Sequence, residues 1–175
     1  MQFLETQDSK GASTLTEEFR IRSIAPTDRD WVVATQIHIY QTEYWFDDSF
    51  GVLCGQIVDS FFASHHPEKE AGWIAERDGR PVGGIFCMRF AENTAQLRLF
   101  FLKPDARGCG LGRRLLQTCM QFAQAAGYTD MRLWTHASHK NAVRLYRALG
   151  WQLEGQEAAV SFGQNEVIES YSYRF

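Results

Sequence analysis

Residues 107–114 read Arg-Gly-Cys-Gly-Leu-Gly-Arg-Arg, and they carry the clearest chemical signal in the chain. They follow an apolar run, Leu97 to Leu102, closed by Pro104. They open a segment, Leu111 to Ala126, with helical apolar spacing at Leu111, Leu115, Leu116, Cys119, Met120 and Ala123. The order is strand, glycine-rich turn, helix. Glycines let the backbone come close to a ligand, and the first turn of a helix offers unpaired N–H groups and a positive dipole end. Arg107, Arg113 and Arg114 add positive charge. That combination suits a pyrophosphate. The spacing argues against two common phosphate sites. A dinucleotide fingerprint needs a glycine three residues after Gly110, where Arg113 stands. A P-loop needs Gly-Lys-Ser/Thr after its turn, and that is missing.

The elements that must position this turn follow from pattern. Glu18 to Ser23 alternates as a first strand, and Ala25-Pro26-Thr27-Asp28 is a turn and helix-cap signal. A helix is expected from Asp30 to about Asp47, broken by Gly51, with a second short helix from Ile57 to Ser64. Two strands, Ala71 to Glu76 and Pro81 to Phe90, flank Asp78-Gly79, a strong hairpin signal. Gly83-Gly84 inside the second suggests a bulge or close backbone approach. Ala95 to Leu102 is the fourth strand, and Gly127 closes the helix at 110–126. A strand at 131–135, a helix at 140–149 and strands near 151–157 and 166–174 complete the chain. The order is β-α-α-β-β-β-α-β-α-β-β.

Composition bounds the rest. The chain has 175 residues, 45% hydrophobic and 22% charged, which suits one soluble domain with a sizeable core. We expect a flexible leader at 1–15 and a single domain at 16–175. The net charge of −3 gives no electrostatic footprint for nucleic acid, and no apolar run is long enough for a membrane span. The N-terminus lacks the apolar stretch of a signal peptide. Cys54, Cys87, Cys109 and Cys119 show no C-x-x-C pairing, so we read them as reduced thiols in a cytoplasmic protein. Cys109 is either a small filler or a thiol activated by the turn. His65-His66 and His136/His139 lack a metal ligand set, so no metal is expected.

R-G-x-G-x-G on a strand-to-helix turn resembles the coenzyme A-binding motif of the GCN5-related N-acetyltransferases, the GNAT family. The likeness continues through the strand 131–135, the helix carrying Leu145-Tyr146, and Gly150-Trp151. It covers residues 16–175 and is strongest over 95–156. It implies an α+β fold with a mostly antiparallel twisted sheet of about seven strands flanked by about four helices, in which the fourth and fifth strands splay apart. Val160-Ser161-Phe162-Gly163-Gln164 is also similar to the C-terminal segment of acetyltransferase domains fused to MarR-type DNA-binding domains.

The resemblance implies an acetyl-CoA-dependent N-acetyltransferase in which a primary amine attacks the thioester directly in a ternary complex. Backbone groups at Phe100, Phe101 and Leu102 would pair with the pantetheine arm as an added strand. The pyrophosphate would lie on the turn, at Arg107, Gly108, Cys109, Gly110, Leu111, Gly112 and Arg113. A family asparagine seven residues before the tyrosine is replaced by His139, with Asn141 nearby but out of register. Tyr146 is the candidate acid that protonates the departing thiolate. The family's glutamate base falls on Gln96 or Arg98, or on Trp134, none of which is a carboxylate. His136 is one candidate base. A carboxylate from Glu43, Asp47 or Asp48 acting through water is another, and a pre-deprotonated amine needs none. Tyr40, Tyr44 and Asp47 would meet a cationic acceptor through aromatic faces and charge. That acceptor is a small-molecule or protein amine. Dimers are common in the family, so a homodimer is an option. Two other readings stay open: a non-catalytic acyl-CoA sensor or interaction module, and a transferase for longer acyl chains, against which the bulk of Phe100, Phe101 and Trp134 argues.

Overall fold

The computed structural model describes residues 18–175, and the expected leader at 1–15 lies outside them. The elements are β1 (Phe19–Ser23), α1 (Arg29–Tyr44), α2 (Asp48–Ser64), β2 (Ala71–Arg77), β3 (Arg80–Arg89), β4 (Thr94–Leu102), α3 (Leu111–Ala125), β5 (Asp130–His136), α4 (Lys140–Ala148), β6 (Gln152–Ser161) and β7 (Gln164–Arg174). Seven strands form one sheet in the order β1-β2-β3-β4-β5-β7-β6. Every pairing is antiparallel except β4 with β5, which is parallel and short. It joins only Thr94–Gln96 to Asp130–Arg132. Beyond that the two strands part, as the resemblance implies.

Alternation along the strands divides the core in two. On β3, Ile85 and Cys87 face one side and pack with Leu111, Leu115, Leu116 and Cys119 of α3. Phe86 faces the other side and packs with Val32 and Ile39 of α1 and Val58 and Phe61 of α2. Burying each such aliphatic or aromatic side chain contributes about 1.5–3 kcal/mol. The β2–β3 turn takes positive φ at both Asp78 (50°) and Gly79 (74°), the geometry that suits the twist of a tight hairpin. No helix among the described residues is long and apolar enough to cross a membrane.

Three expectations need correction. Gly51 does not break a helix. The break comes earlier, where Trp45 turns left-handed (φ 54°) after α1. Asp47 then caps α2 by accepting from the Ser49 N–H at 3.0 Å, and α2 runs unbroken through Gly51. A Cβ there would lie 2.7 Å from Ile37 Cδ1. Gly51 is therefore a contact glycine that lets α2 lie close on α1. Second, the last two strands run longer than expected. They form one hairpin, turning at Phe162 and Gly163 with φ of 50° and 77°. Third, the irregularity at Gly83-Gly84 is real, but the extra residue belongs to β4. Gly84 faces Phe101 and Phe86 faces Arg98, so Ile85 alone stands opposite Leu99 and Phe100. Leu99 carries the bulge at φ 48°, unusual for a bulky residue. Gly83 allows the close approach, since a Cβ on it would lie 2.6 Å from the Phe101 carbonyl oxygen.

Candidate active site

A cavity of about 870 Å³ opens where β4 and β5 part. Its lining comes from α1, α2, β4, the 107–113 turn, β5, α4 and the β6–β7 turn. Its two halves have different chemistry.

One half is backbone-rich. Gly108 and Gly110 take φ of 81° and 83°. A Cβ on either would meet nothing within 4 Å, so conformation and not crowding demands glycine at both. Gly110 caps α3 with no side-chain bond. The first helical bond runs from the Arg114 N–H to the Gly110 carbonyl at 3.1 Å. The N–H groups of Leu111, Gly112 and Arg113 therefore have no helical partner, the arrangement that binds anions. Gly112 serves packing: a Cβ there would lie 3.3 Å from Leu102 Cδ1.

The β4 edge beside this turn pairs with no other described strand. The Lys103 N–H donates to the Val82 carbonyl at 2.8 Å, toward β3. By alternation the backbone groups of Phe101 also face β3, and those of Leu102 face the gap. Beyond the bulge, Phe100 faces the gap as well. Phe100, Phe101, Leu102, Arg107, Gly108, Gly110, Gly112, Arg113, His139 and Asn141 all line the cavity. Cys109 and Leu111 do not. Cys109 is exposed, its thiol donating to the Ala106 carbonyl at 3.3 Å, and Leu111 is a core residue. What both offer the turn is backbone.

Arg107 does not present a free charge. Its guanidinium forks onto Glu43 at 2.8 and 2.9 Å and also donates to the Leu102 carbonyl at 3.0 and 3.1 Å. The pair pins α1 to the end of β4 and occupies one of the carboxylates considered as a base. The sequence held no signal for it, because the partners are 64 residues apart.

The other half is aromatic. Tyr40, Tyr44, Phe46, Phe50 and Phe162 crowd around two histidines, with Tyr44 at 4.3 Å and Tyr40 at 5.2 Å from the His139 ring. Tyr40 and Tyr44 line the cavity as expected for an acceptor pocket; Asp47 does not. Asp47 is spent on capping α2. Among the described residues no aspartate or glutamate lines this cavity. The structure thus places the two tyrosines at the cavity and Asp47 outside its lining.

His139 sits at the N-cap of α4, its Nδ1 3.5 Å from Thr135 Oγ1 and its Nε2 buried without a partner among the described residues. Burial pushes its pKa down to about 3, with neighbouring His136 and Arg107 adding to the effect, so it is neutral near pH 7. His136, at the end of β5, shares a 2.9 Å hydrogen bond between Nε2 and Ser161 Oγ. Burial lowers its pKa too, against the pull of Glu166. Tyr146, in the last turn of α4, is 4% exposed and lines the cavity. Its pKa is raised, first by burial and then by Tyr40 and the other weak acids nearby. It is a neutral phenol able to donate. Its hydroxyl has no hydrogen-bond partner among the described residues.

Residues 30–151 match the Acetyltransferase (GNAT) family. N-acetyltransferase 8 of Rattus norvegicus is 36% identical over 89 residues, which is 48% of this chain and 40% of that protein. An uncharacterized N-acetyltransferase of Methanocaldococcus jannaschii is 28% identical over 121 residues, 66% of this chain and 49% of that protein. The matches thus span two fifths to half of these curated relatives. Among solved structures, a putative acetyltransferase of Salmonella typhimurium, determined with its cofactor acetyl-CoA, superposes with a TM-score of 0.74 at 18% identity, over 89% of this chain and 93% of that one. A putative acetyltransferase of Acinetobacter baylyi superposes with a TM-score of 0.76 at 17% identity, over 92% and 94%. These likenesses concern the fold, the seven-stranded sheet with its parted strands. Together with the family match over most of the chain, they establish that the protein belongs to the GNAT family of acetyltransferases.

Proposed function

We propose that the chain is an acetyl-CoA-dependent N-acetyltransferase acting on a primary amine by direct attack in a ternary complex. The observation that carries this reading is the juxtaposition of the 108–113 turn with the β4 edge that pairs with no other described strand. The turn offers N–H groups for a pyrophosphate, and the β4 edge offers a backbone ladder for a pantetheine arm. The fit needs few side chains, so the departure at His139 costs the cofactor side little. When bound, acetyl-CoA supplies an acetyl thioester.

The chain's own residues have three tasks. Gap-facing backbone N–H groups of β4 hold the arm and polarise the acyl carbonyl. Tyr146, kept neutral by burial, donates its proton to the leaving sulfur. His136, neutral because burial disfavours its charge, accepts a proton from the amine, and Ser161 fixes its ring. Glu43 orients Arg107 and has no free oxygen facing the chemistry.

A second reading, a non-catalytic acyl-CoA sensor, is favoured by the lack of a carboxylate among the described cavity-lining residues. Amide NMR with acetyl-CoA tests the binding half. The expected perturbations fall at Leu102 and at Leu111 to Arg113, beside the turn; shifts confined elsewhere would refute the site. Mass spectrometry for an N-acetylated product separates the two readings, because the sensor makes none.

A further inference from the structure

We infer that the acceptor is a primary amine that also carries a carboxylate, held through that carboxylate by Arg98 and Gln36. The inference rests on the acetyl-transfer reading above and names its substrate class.

Among the described residues the cavity's charged lining is entirely positive. Arg98, Arg107 and Arg113 line it, and among the described residues no acidic one does. Arg107 is neutralised by Glu43. Arg113 belongs to the α3 N-terminus and the phosphate end. Arg98 is different. It sits mid-way along β4, opposite Phe86, and cross-strand partners share a face. Phe86 packs beneath α1 and α2, so Arg98 also leaves the sheet on that side, at the acceptor end.

Arg98 is half-buried and makes no ion pair or hydrogen bond among the described residues. Burial disfavours its charge, and Cys54 on α2 acts in the opposite direction. The Cys54 thiol in turn donates to Gln36 Oε1 at 3.9 Å. Gln36 on α1 is 1% exposed, lines the same cavity, and its Nε2 is buried with no partner among the described residues. A guanidinium and an amide N–H pair thus line one cavity, both with donors unused among the described residues. Leaving such donors unpaired is costly, and the planar fork of arginine matches a carboxylate.

The remaining surroundings define the rest of the molecule. Phe50, Leu53, Ile57 and Leu99 offer an apolar wall for a side chain. Tyr40 and Tyr44 pack on His139, and His139 packs on His136, at the aromatic end, where an amine would lose its proton. A purely cationic amine would meet an unpaired guanidinium and no compensating acid. A zwitterionic amine would satisfy Arg98 and Gln36 and keep its amine toward the aromatic end.

The test uses matched probes on the whole chain: phenylalanine against phenethylamine and against phenylalanine amide, and leucine against isoamylamine, each with acetyl-CoA. The free amino acids should show kcat/KM at least ~10-fold above their decarboxylated or amidated counterparts, because a site with unpaired donors rejects a ligand that cannot fill them. Arg98→Gln should collapse that ratio to about one, chiefly through KM, and Arg98→Lys should restore part of it. A binding arm does not depend on turnover. N-acetylphenylalanine, titrated with coenzyme A present, should quench tryptophan fluorescence in the wild type more tightly than its amide, and Arg98→Gln should remove the difference. Dipeptides with the same N-terminal residue distinguish a free amino acid from a peptide end; either would carry the carboxylate. Equal or better use of the decarboxylated amines, with no preference for N-acetylphenylalanine over its amide, overturns the inference. So does a preference untouched by Arg98→Gln. Acetyl-CoA binding in the same samples reads the parent proposal separately: its loss sinks acetyl transfer, whereas its retention with no carboxylate preference sinks only Arg98.

Discussion

Replacing Tyr146 with phenylalanine should separate chemistry from stability. The ring is 4% exposed and packs 6.0 Å from Trp151, 6.1 Å from Tyr171 and 6.2 Å from Phe100, between centroids. Phenylalanine keeps all three contacts. The hydroxyl has no partner among the described residues, so its removal orphans nothing. Stability should therefore change by no more than about 0.5 kcal/mol, as for a substitution that breaks no packing or hydrogen bond. The barrier should respond differently. A general acid contributes about 10²–10⁴ in rate, which is about 2.7–5.4 kcal/mol at 1.36 kcal/mol per tenfold. The loss should fall on kcat, because a proton given to the leaving sulfur is felt only in the transition state. The KM for acetyl-CoA should stay near the wild-type value, since the arm is held by backbone. The assay is thiol release under saturating amine, paired with urea denaturation of the same sample. A variant with wild-type kcat removes Tyr146 from the mechanism. A variant that loses kcat and stability together would show that the hydroxyl is structural.

Three further outcomes follow from the geometry. Gly83→Ala should destabilise by about 1–3 kcal/mol and weaken acetyl-CoA binding, because its Cβ would fall 2.6 Å from the Phe101 carbonyl and push β4 out of line; denaturation and calorimetry check both, and an unchanged protein would refute the close approach. If His136 is the base, kcat/KM should fall with acid at a pH below the ordinary imidazole value of about 6.5, because burial lowers its pKa; His136→Gln should remove that limb, and an unchanged profile would exclude it. Asp28 accepts from Arg22 at 2.7 and 2.8 Å and from the Ala25 N–H at 2.8 Å, and the Arg22 hydrogen bonds hold its pKa below the usual aspartate value. A depressed folded pKa stabilises above the unfolded value of about 3.9, and the benefit is lost as pH falls below it. Asp28→Asn should cost about 1–3 kcal/mol at neutral pH and flatten the acid limb of a stability profile; an equally steep limb would place the effect elsewhere.

Much of the fold was legible because its signals are local. Asp78-Gly79 specifies a hairpin within four residues, and the apolar spacing from Leu111 to Ala123 specifies the buried face of α3 without outside help. The glycines of the 108–113 turn combine both kinds of signal, which is why the cofactor half was readable from residue types. What escaped is non-local. Gly51 carries the same letter whether it breaks a helix or lets two helices touch, and only Ile37 across the interface decides. Leu99 adopts a left-handed backbone with no residue preference to announce it, so the β4 bulge could be placed only near Gly83-Gly84. The Glu43–Arg107 pair and the shared cavity lining of Arg98 and Gln36 join elements distant in sequence. The acceptor half depends on exactly those side-chain directions, and there the expected carboxylate, Asp47, proved to be a helix cap.

The most direct test of the central claim is steady-state thiol release from acetyl-CoA with both substrates varied, across amines that include the free amino acids. Direct transfer in the cavity predicts turnover with at least one amine class, double-reciprocal lines that intersect, and loss of turnover in Tyr146→Phe. Tight binding of acetyl-CoA without turnover of any amine would contradict the enzyme and leave a sensor. Parallel lines would contradict direct attack.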